Sequence, residues 1–202
     1  MGVLLYNSQV SGNCYKVRLV LAHLGLPYER VELDVVDRSN RPDVLGGLNP
    51  ALRVPTLVLD DGRPLAESNA ILCYFGEGTR LVPQDAYERA QMLQWMFFEQ
   101  YDLEINIAVI RFWLHVLGGV PVGQEVVYES KLAAGYKTLD AMEAHLDGRE
   151  WLVGAASSLA DISLYAYTHV AHEGGFEMAR YPSIRAWLDR VAAMPGHVPI
   201  DA

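Results

Sequence analysis

Arg53-Val54-Pro55-Thr56-Leu57-Val58-Leu59-Asp60-Asp61-Gly62-Arg63-Pro64-Leu65-Ala66-Glu67-Ser68-Asn69-Ala70-Ile71 is the stretch on which the fold turns. Two short runs, Thr56 to Leu59 and Arg63 to Ala66, flank an Asp60-Asp61-Gly62 turn and predict an antiparallel hairpin. Proline cannot donate a ladder hydrogen bond, so Pro55 belongs at the mouth of the first strand. A cis Val54-Pro55 bond would turn the chain sharply there and leave the Val54 N–H and C=O facing solvent. An extended peptide can pair with two such groups as an added strand. Glu67-Ser68 opens a helix reaching about Phe75, and supplies a carboxylate, a hydroxyl and the free N–H groups of a helix N-terminus. These suit the amine and carboxylate of a small zwitterionic peptide.

Upstream, Val3-Leu4-Leu5-Tyr6 reads as a buried strand. Val17, Val20, Leu21 and Leu24 follow at helical spacing, closed by Gly25 and Pro27. Tyr28 to Leu33 is a second strand, which makes a βαβ unit and a parallel pair. A short helix or irregular segment follows near Val44 to Leu48. The order β-α-β-α-β-β-α, with proline entering the third strand, predicts an α/β thioredoxin-like domain over residues 1–76. Gly76-Glu77-Gly78 and Pro83 mark a linker over 77–85. Residues 86–202 then read as an all-α helical domain. Leu93, Phe97, Tyr101, Ile105, Ala108 and Phe112 trace a long helix ending near Gly118-Gly119. Leu132, Gly135, Leu139, Met142 and Leu146 trace another, and Ser158-Leu159-Ala160-Asp161 has the form of a capping box before an apolar run from Ile162 to Val170. A last helix starts after Pro182 and stops before Pro195.

The 202 residues are 51% apolar and 20% charged, an ordinary globular balance. A net charge of −9 argues against nonspecific binding to nucleic acid or anionic membrane, so an anionic ligand must be held by local dipoles or a few arginines. No leader-like segment and no long apolar span is found, so a soluble, cytoplasmic protein is expected. Cys14 and Cys73 make neither a disulfide framework nor a zinc site, and the six histidines are scattered, so no metal is expected.

Together these motifs resemble the cytosolic glutathione transferase family over essentially the whole chain. Four features carry the resemblance: Ser11-Gly12-Asn13-Cys14-Tyr15-Lys16-Val17-Arg18 between the first strand and helix, Val54-Pro55, Glu67-Ser68-Asn69-Ala70-Ile71, and Ser158 with Asp161. The resemblance implies glutathione as co-substrate, with its γ-glutamyl end at Glu67 and Ser68 and its cysteinyl main chain against Val54 beside Pro55. Its sulfur would lie near the start of the first helix. Arg53 falls where many relatives carry a basic residue that can reach a glutathione carboxylate. The resemblance also implies a homodimer.

A free thiol with a pKa near 8.5 is mostly protonated at neutral pH. Lowering it by ~2 units takes ~2.7 kcal/mol of preferential thiolate stabilisation, which a hydroxyl and a helix N-terminus can supply. Ser11 matches the catalytic serine of the theta-, delta- and zeta-like branches; its alternative role is to cap the first helix. Asn13 falls where zeta-like and beta-like members carry cysteine; its amide can donate to a thiolate, or it too can serve as the cap. Cys14 is read as a buried structural thiol, Cys73 as core, and Tyr6 as packing within its strand. Ser158 and Asp161 are read as structural.

An acceptor pocket between the domains is expected to draw on Ile107, Arg111 and Trp113. The competing roles are core packing for Ile107 and Trp113, and an ion pair for Arg111. The activity expected is conjugation of the glutathione thiolate to small, mostly apolar electrophiles, as in detoxification, without a covalent enzyme intermediate. Two rivals use the same fold: a glutathione-dependent peroxidase or disulfide reductase, and a non-catalytic module that binds ligands or partners. An isomerase of the maleylacetoacetate type is disfavoured, because Asn13 breaks that branch's Ser-Ser-Cys run.

Overall fold

Four strands, β2 (Tyr28–Glu32), β1 (Val3–Asn7), β3 (Thr56–Val58) and β4 (Pro64–Ala66), lie side by side in that order and organise the first of two units into which the chain divides. The computed structural model describes residues 2–202. The first unit comprises Met1–Thr79 together with Met194–Ala202, and the second Arg80–Ala193. Strand β1 (Val3–Asn7), helix α1 (Gly12–His23) and β2 (Tyr28–Glu32) form the expected parallel βαβ unit, with Val3 opposite Tyr28 and Asn7 opposite Glu32. Helix α2 (Arg41–Leu45) begins earlier than the sequence suggests, with Pro42 in its first turn, where a missing N–H costs nothing. Strands β3 (Thr56–Val58) and β4 (Pro64–Ala66) make the hairpin, and Gly62 takes the positive φ of 86° its turn requires. Helix α3 (Ser68–Gly76) closes the unit.

The register decides what meets at each end of this sheet. Strand β3 runs antiparallel to β1, with Thr56 opposite Tyr6, and β4 runs antiparallel to β3, with Ala66 opposite Thr56. The exit of β1, the entry of β3 and the exit of β4 therefore share one end. Leu5, Val17, Leu45, Leu57, Ile71 and Leu72 are fully buried beneath them.

The sequence reading assigned 86–202 to one helical domain, but Met194–Ala202 belongs with the first unit. The reason is polar. Helix α1 buries Tyr15, Arg18 and His23, and buried donors need partners. The tail's main chain supplies them. The Tyr15 hydroxyl donates to Val198 O (2.7 Å), Arg18 Nη2 to Ile200 O (2.6 Å), and His23 Nδ1 lies 2.8 Å from Pro195 O.

In the second unit, α4 (Ala86–Phe98) runs on through π-helical turns at Glu99–Ala108, a short α5 (Val109–Arg111) and further π-helical turns at Phe112–Val116. Helices α6 (Glu125–Leu146), α7 (Leu159–Thr168) and α8 (Pro182–Ala192) complete it. Gly135 leaves α6 room for Phe176: a Cβ there would lie 2.6 Å from the Phe176 ring. Asp161, fully buried at the start of α7, accepts hydrogen bonds from Ser158 N (2.8 Å), Ser158 Oγ (3.1 Å), Leu152 N (3.1 Å) and Trp187 Nε1 (2.9 Å). Burial pushes its carboxyl pKa up against these four donors. On the α4 path the core residues are Met92, Met96, Leu103, Ile107 and Ile110, while Leu93, Phe97, Tyr101 and Ile105 face outward at 37, 62, 70 and 47% exposure. The row that traced the helix in the sequence is thus largely its outer face.

Candidate active site

The shared end of the sheet collects three chain segments: the loop from β1 to α1, the Val54-Pro55 entry to β3, and the Glu67-Ser68 start of α3. The Val54-Pro55 bond is cis, as the sequence predicts. Val54 is half-buried, and among the described residues its N–H and C=O have no hydrogen-bond partner. Its neighbours are firmly tied. Asn49, itself buried, donates from Nδ2 to Arg53 O (3.1 Å) and to Thr56 Oγ1 (2.9 Å), and Thr56 Oγ1 donates to Arg53 O (2.7 Å). Arg41 Nη1 donates to Leu52 O (3.0 Å). The loop therefore presents one unpaired residue on a fixed frame. The Arg53 side chain is exposed beside it.

Ser11 is the N-cap of α1: its Oγ accepts from Cys14 N at 3.3 Å. That assigns the cap to Ser11 and leaves Asn13 inside the first turn. Capping uses an oxygen lone pair, so the Ser11 hydroxyl keeps its proton to give. Asn13 reaches instead to α3, where Ser68 Oγ donates to Asn13 Oδ1 at 3.1 Å. This bond joins the N-termini of two helices, α1 and α3, side by side. Neither first turn carries an acidic residue, so the positive end of α1 is unopposed there, while that of α3 has the carboxylate of its own N-cap residue beside it. Glu67 holds the N-cap position of α3 with its side chain exposed.

Glu67 and Leu52 are the two non-glycine residues with positive φ among the described residues, at 69° and 53°. Such conformations cost of order 1–3 kcal/mol and cluster where a fixed backbone serves a site. Both flank this one. Sequence reading missed Leu52, Asn49 and Arg41 as supports; the Asn49-Pro50 pair was the available turn signal.

Cys14 is fully buried, with its sulfur accepting from Ser8 N at 3.3 Å. Burial pushes its thiol up to about 11, against weaker downward pulls from the Ser11 side chain and Ser8 N–H. It is a protonated structural thiol. Cys73 is half-buried rather than core, and burial raises its thiol too. Tyr6 is half-buried within β1.

The three residues expected at an acceptor pocket lie in different surroundings. Ile107 is fully buried in the second unit against α6 at Gly135, so it packs the core rather than lining a pocket. Arg111 is buried and its Nε binds Glu173 Oε2 at 2.6 Å, so its charge is already matched. His115 Nε2 lies 3.6 Å from the same carboxylate oxygen. Trp113 is half-buried on the π-helical turns. Among the described residues no group of three or more His, Cys, Asp or Glu could hold a metal ion, and no helix is long and apolar enough to cross a membrane.

Comparison with known proteins adds to this geometry. Residues 10–77 match the family model for the glutathione S-transferase N-terminal domain, and residues 94–195 match that for the C-terminal domain. The chain is 34% identical to glutathione S-transferase 3 of Zea mays, covering 95% of this chain and 89% of that protein. It is 27% identical to the disulfide-bond oxidoreductase YfcG of Escherichia coli strain K12, covering 91% and 87%. A solved glutathione S-transferase from Pseudomonas fluorescens Pf-5 is 45% identical, covers 99% of each chain and superposes with a TM-score of 0.94.

Proposed function

Because the chain belongs to the glutathione S-transferase family, we propose that it binds glutathione at the shared end of the sheet and conjugates its thiolate to small electrophiles. The observation that carries this is the Ser68–Asn13 hydrogen bond, which sets two helix N-termini beside a cis-proline loop with an unpaired Val54. In this reading the cysteinyl main chain of glutathione pairs with Val54. Its γ-glutamyl carboxylate meets the start of α3 at Ser68, its amine meets Glu67, and Arg53 reaches a further carboxylate. The sulfur lies at the start of α1, where the Ser11 hydroxyl donates to it and the Asn13 amide stands beside. Catalysis is then thiolate stabilisation and positioning. Cys14 is excluded as a nucleophile by its burial and raised pKa.

The likeness to a disulfide-bond oxidoreductase supports a second reading, in which the same thiolate attacks a disulfide sulfur. A panel of aryl halides, hydroperoxides and mixed disulfides separates the two. We also propose a cytoplasmic homodimer, supported by the outward apolar row of α4.

The central test is Ser11→Ala. It removes one donor to the sulfur and leaves Val54, Glu67 and Ser68 in place. Glutathione affinity should change little, while turnover falls by roughly 10- to 1,000-fold, the scale for loss of one preorganised donor. Loss of the cap should also cost ~1 kcal/mol of stability. Thiolate absorbance of bound glutathione, followed against pH, should show the apparent pKa rising toward the free value. Identical titration curves in the two proteins would remove Ser11 from the mechanism and make Asn13 the donor to test.

A further inference from the structure

The loop that carries Ser11 leaves β1 through Ser8, Gln9 and Val10, and every polar group of Gln9 is bonded. Its N–H donates to Glu32 Oε2 (3.1 Å) and its main-chain oxygen accepts from Arg18 Nη2 (3.2 Å). Its side-chain Nε2 donates to Ile200 O (2.7 Å) and Ala202 O (2.9 Å), and its Oε1 accepts from Arg30 Nη1 (3.3 Å). Carbonyls only accept, so the amide end that faces two of them is the NH2.

The two halves of this network have different anchors. The Gln9 main chain is held from within the sheet and α1. Glu32, on β2, takes Gln9 N on one oxygen and Asn7 Nδ2 (2.5 Å) on the other. Arg18, on α1 and only 1% exposed, bridges Asn7 Oδ1 (2.8 Å) and Gln9 O. The Gln9 side chain reaches instead to the tail. There Ile200 O accepts from both Gln9 Nε2 and Arg18 Nη2 (2.6 Å). The loop, α1 and the tail thus meet at one carbonyl oxygen, whose two lone pairs are both used. The tail is itself fixed on α1 through Tyr15 and His23.

Ser11 stands two residues beyond Gln9. On the helix side its Oγ holds Cys14 N (3.3 Å), and on the strand side its N–H donates to Ser8 O (3.1 Å). Ser8 and Gln9 are adjacent, so the strand side of Ser11 takes its position from the Gln9 anchorage. A hydroxyl stabilises a thiolate only from the right place, and misplacing a catalytic group by ~1 Å can cost ~10²-fold in rate. A side chain that fixes the loop therefore acts on the chemistry without touching the reacting atoms.

We propose that Gln9 is a positioning residue for the reaction, tying the Ser11 loop to residues 200–202 so that the Ser11 hydroxyl stays on the glutathione sulfur. The inference rests on the reading of Ser11 as the thiolate donor. It extends the machinery of the reaction to a carbonyl 191 positions along the chain from Gln9.

Gln9→Met tests this, because it keeps the length of the side chain and removes both donors. Glutathione affinity should stay within about twofold of wild type while kcat falls about tenfold. The apparent pKa of bound glutathione, followed by thiolate absorbance, should rise part of the way toward its value in Ser11→Ala. Gln9→Asn keeps the amide one methylene short of Ile200 O and should lie between Gln9→Met and wild type. The decisive arm is the double variant. Ser11→Ala with Gln9→Met should turn over like Ser11→Ala alone, since Gln9 acts through the hydroxyl. A merely structural Gln9 would lower thermal stability, leave the thiolate titration in place and add its own loss of turnover to that of Ser11→Ala. An unshifted titration in Gln9→Met, or additive losses in the double variant, would overturn the inference. A shift in Ser11→Ala without one in Gln9→Met removes Gln9 alone. No shift in Ser11→Ala removes the thiolate reading, and this inference with it.

Discussion

Cys14 shows how one residue's surroundings set its chemistry. Three positions past Ser11, at a helix N-terminus, a thiol is in a place that ordinarily lowers its pKa. Full burial wins, and the thiol rises from 9.0 to about 11. The unfolded chain therefore ionises here first, so the stability this thiol contributes is complete below pH 9 and is lost as pH climbs toward 11. That gap is worth ~2.7 kcal/mol. Denaturant unfolding measured from pH 8 to 11 should show the decline, and Cys14→Ala should flatten it by about that amount. Tyr181, pushed from 10.0 up to about 12 by burial and the Asp140 carboxylate, adds a decline at higher pH that the substitution should leave in place. An unaltered slope in Cys14→Ala would refute the assignment. The sequence made Cys14 legible as structural because it is one step from the motif position. It left Ser11 and Asn13 undivided, because both are good caps, and only the Cys14 N–H at Ser11 Oγ separates them. Leu52 and Glu67 were invisible as strained residues, since a positive φ at a non-glycine residue is imposed by the surrounding loop and leaves no local signature.

At the scale of the element, the βαβ unit, the hairpin and the capped α7 were legible because each rests on local signals: alternation, a glycine turn, a capping motif. The α4 path was legible as a helix and illegible as a face. It carries two apolar rows, and periodicity alone does not say which one packs inward. The inward row uses Met92, Met96, Leu103, Ile107 and Ile110, which is also why Ile107 serves the core and not an acceptor. The outward row, Leu93, Phe97, Tyr101 and Ile105, is an exposed apolar stripe of the kind that marks an interaction surface. If a second copy of the chain covers it, Phe97→Glu should convert a dimer to a monomer in sedimentation velocity while leaving the helical circular dichroism intact. A variant that sediments as wild type would show that this row is not the dimer contact.

For the molecule as a whole, the feature furthest from any sequence signal is the return of Met194–Ala202 to the first unit. The tail has no periodicity to read, and much of its attachment is made by main-chain carbonyls accepting from Tyr15, Arg18 and Gln9 side chains, which leave no mark on its own residue identities; Gly196, where a Cβ would lie 2.7 Å from Ala22 O, and His197, 3.3 Å from the Tyr15 hydroxyl, are the exceptions. Truncation after Ala193 would strip those buried donors of their acceptors. It should cost at least ~3 kcal/mol in unfolding measurements, at about 1 kcal/mol or more for each donor stranded. Wild-type stability in the truncated protein would mean that solvent replaces the tail without loss.

This attachment also has a consequence in time. A chain leaves the ribosome from its N-terminus, so the sheet and α1 emerge long before the segment that satisfies Arg18. Residues 80–193 must be made in between, which takes roughly ten seconds at about 10 residues per second. Throughout that interval the nascent first unit lacks the Ile200 acceptor of its buried Arg18 guanidinium and the Val198 acceptor of its buried Tyr15 phenol. The part of the protein synthesised first is thus completed only once residues 194–202 have been made, and stalled or prematurely terminated chains are released with that unit unfinished.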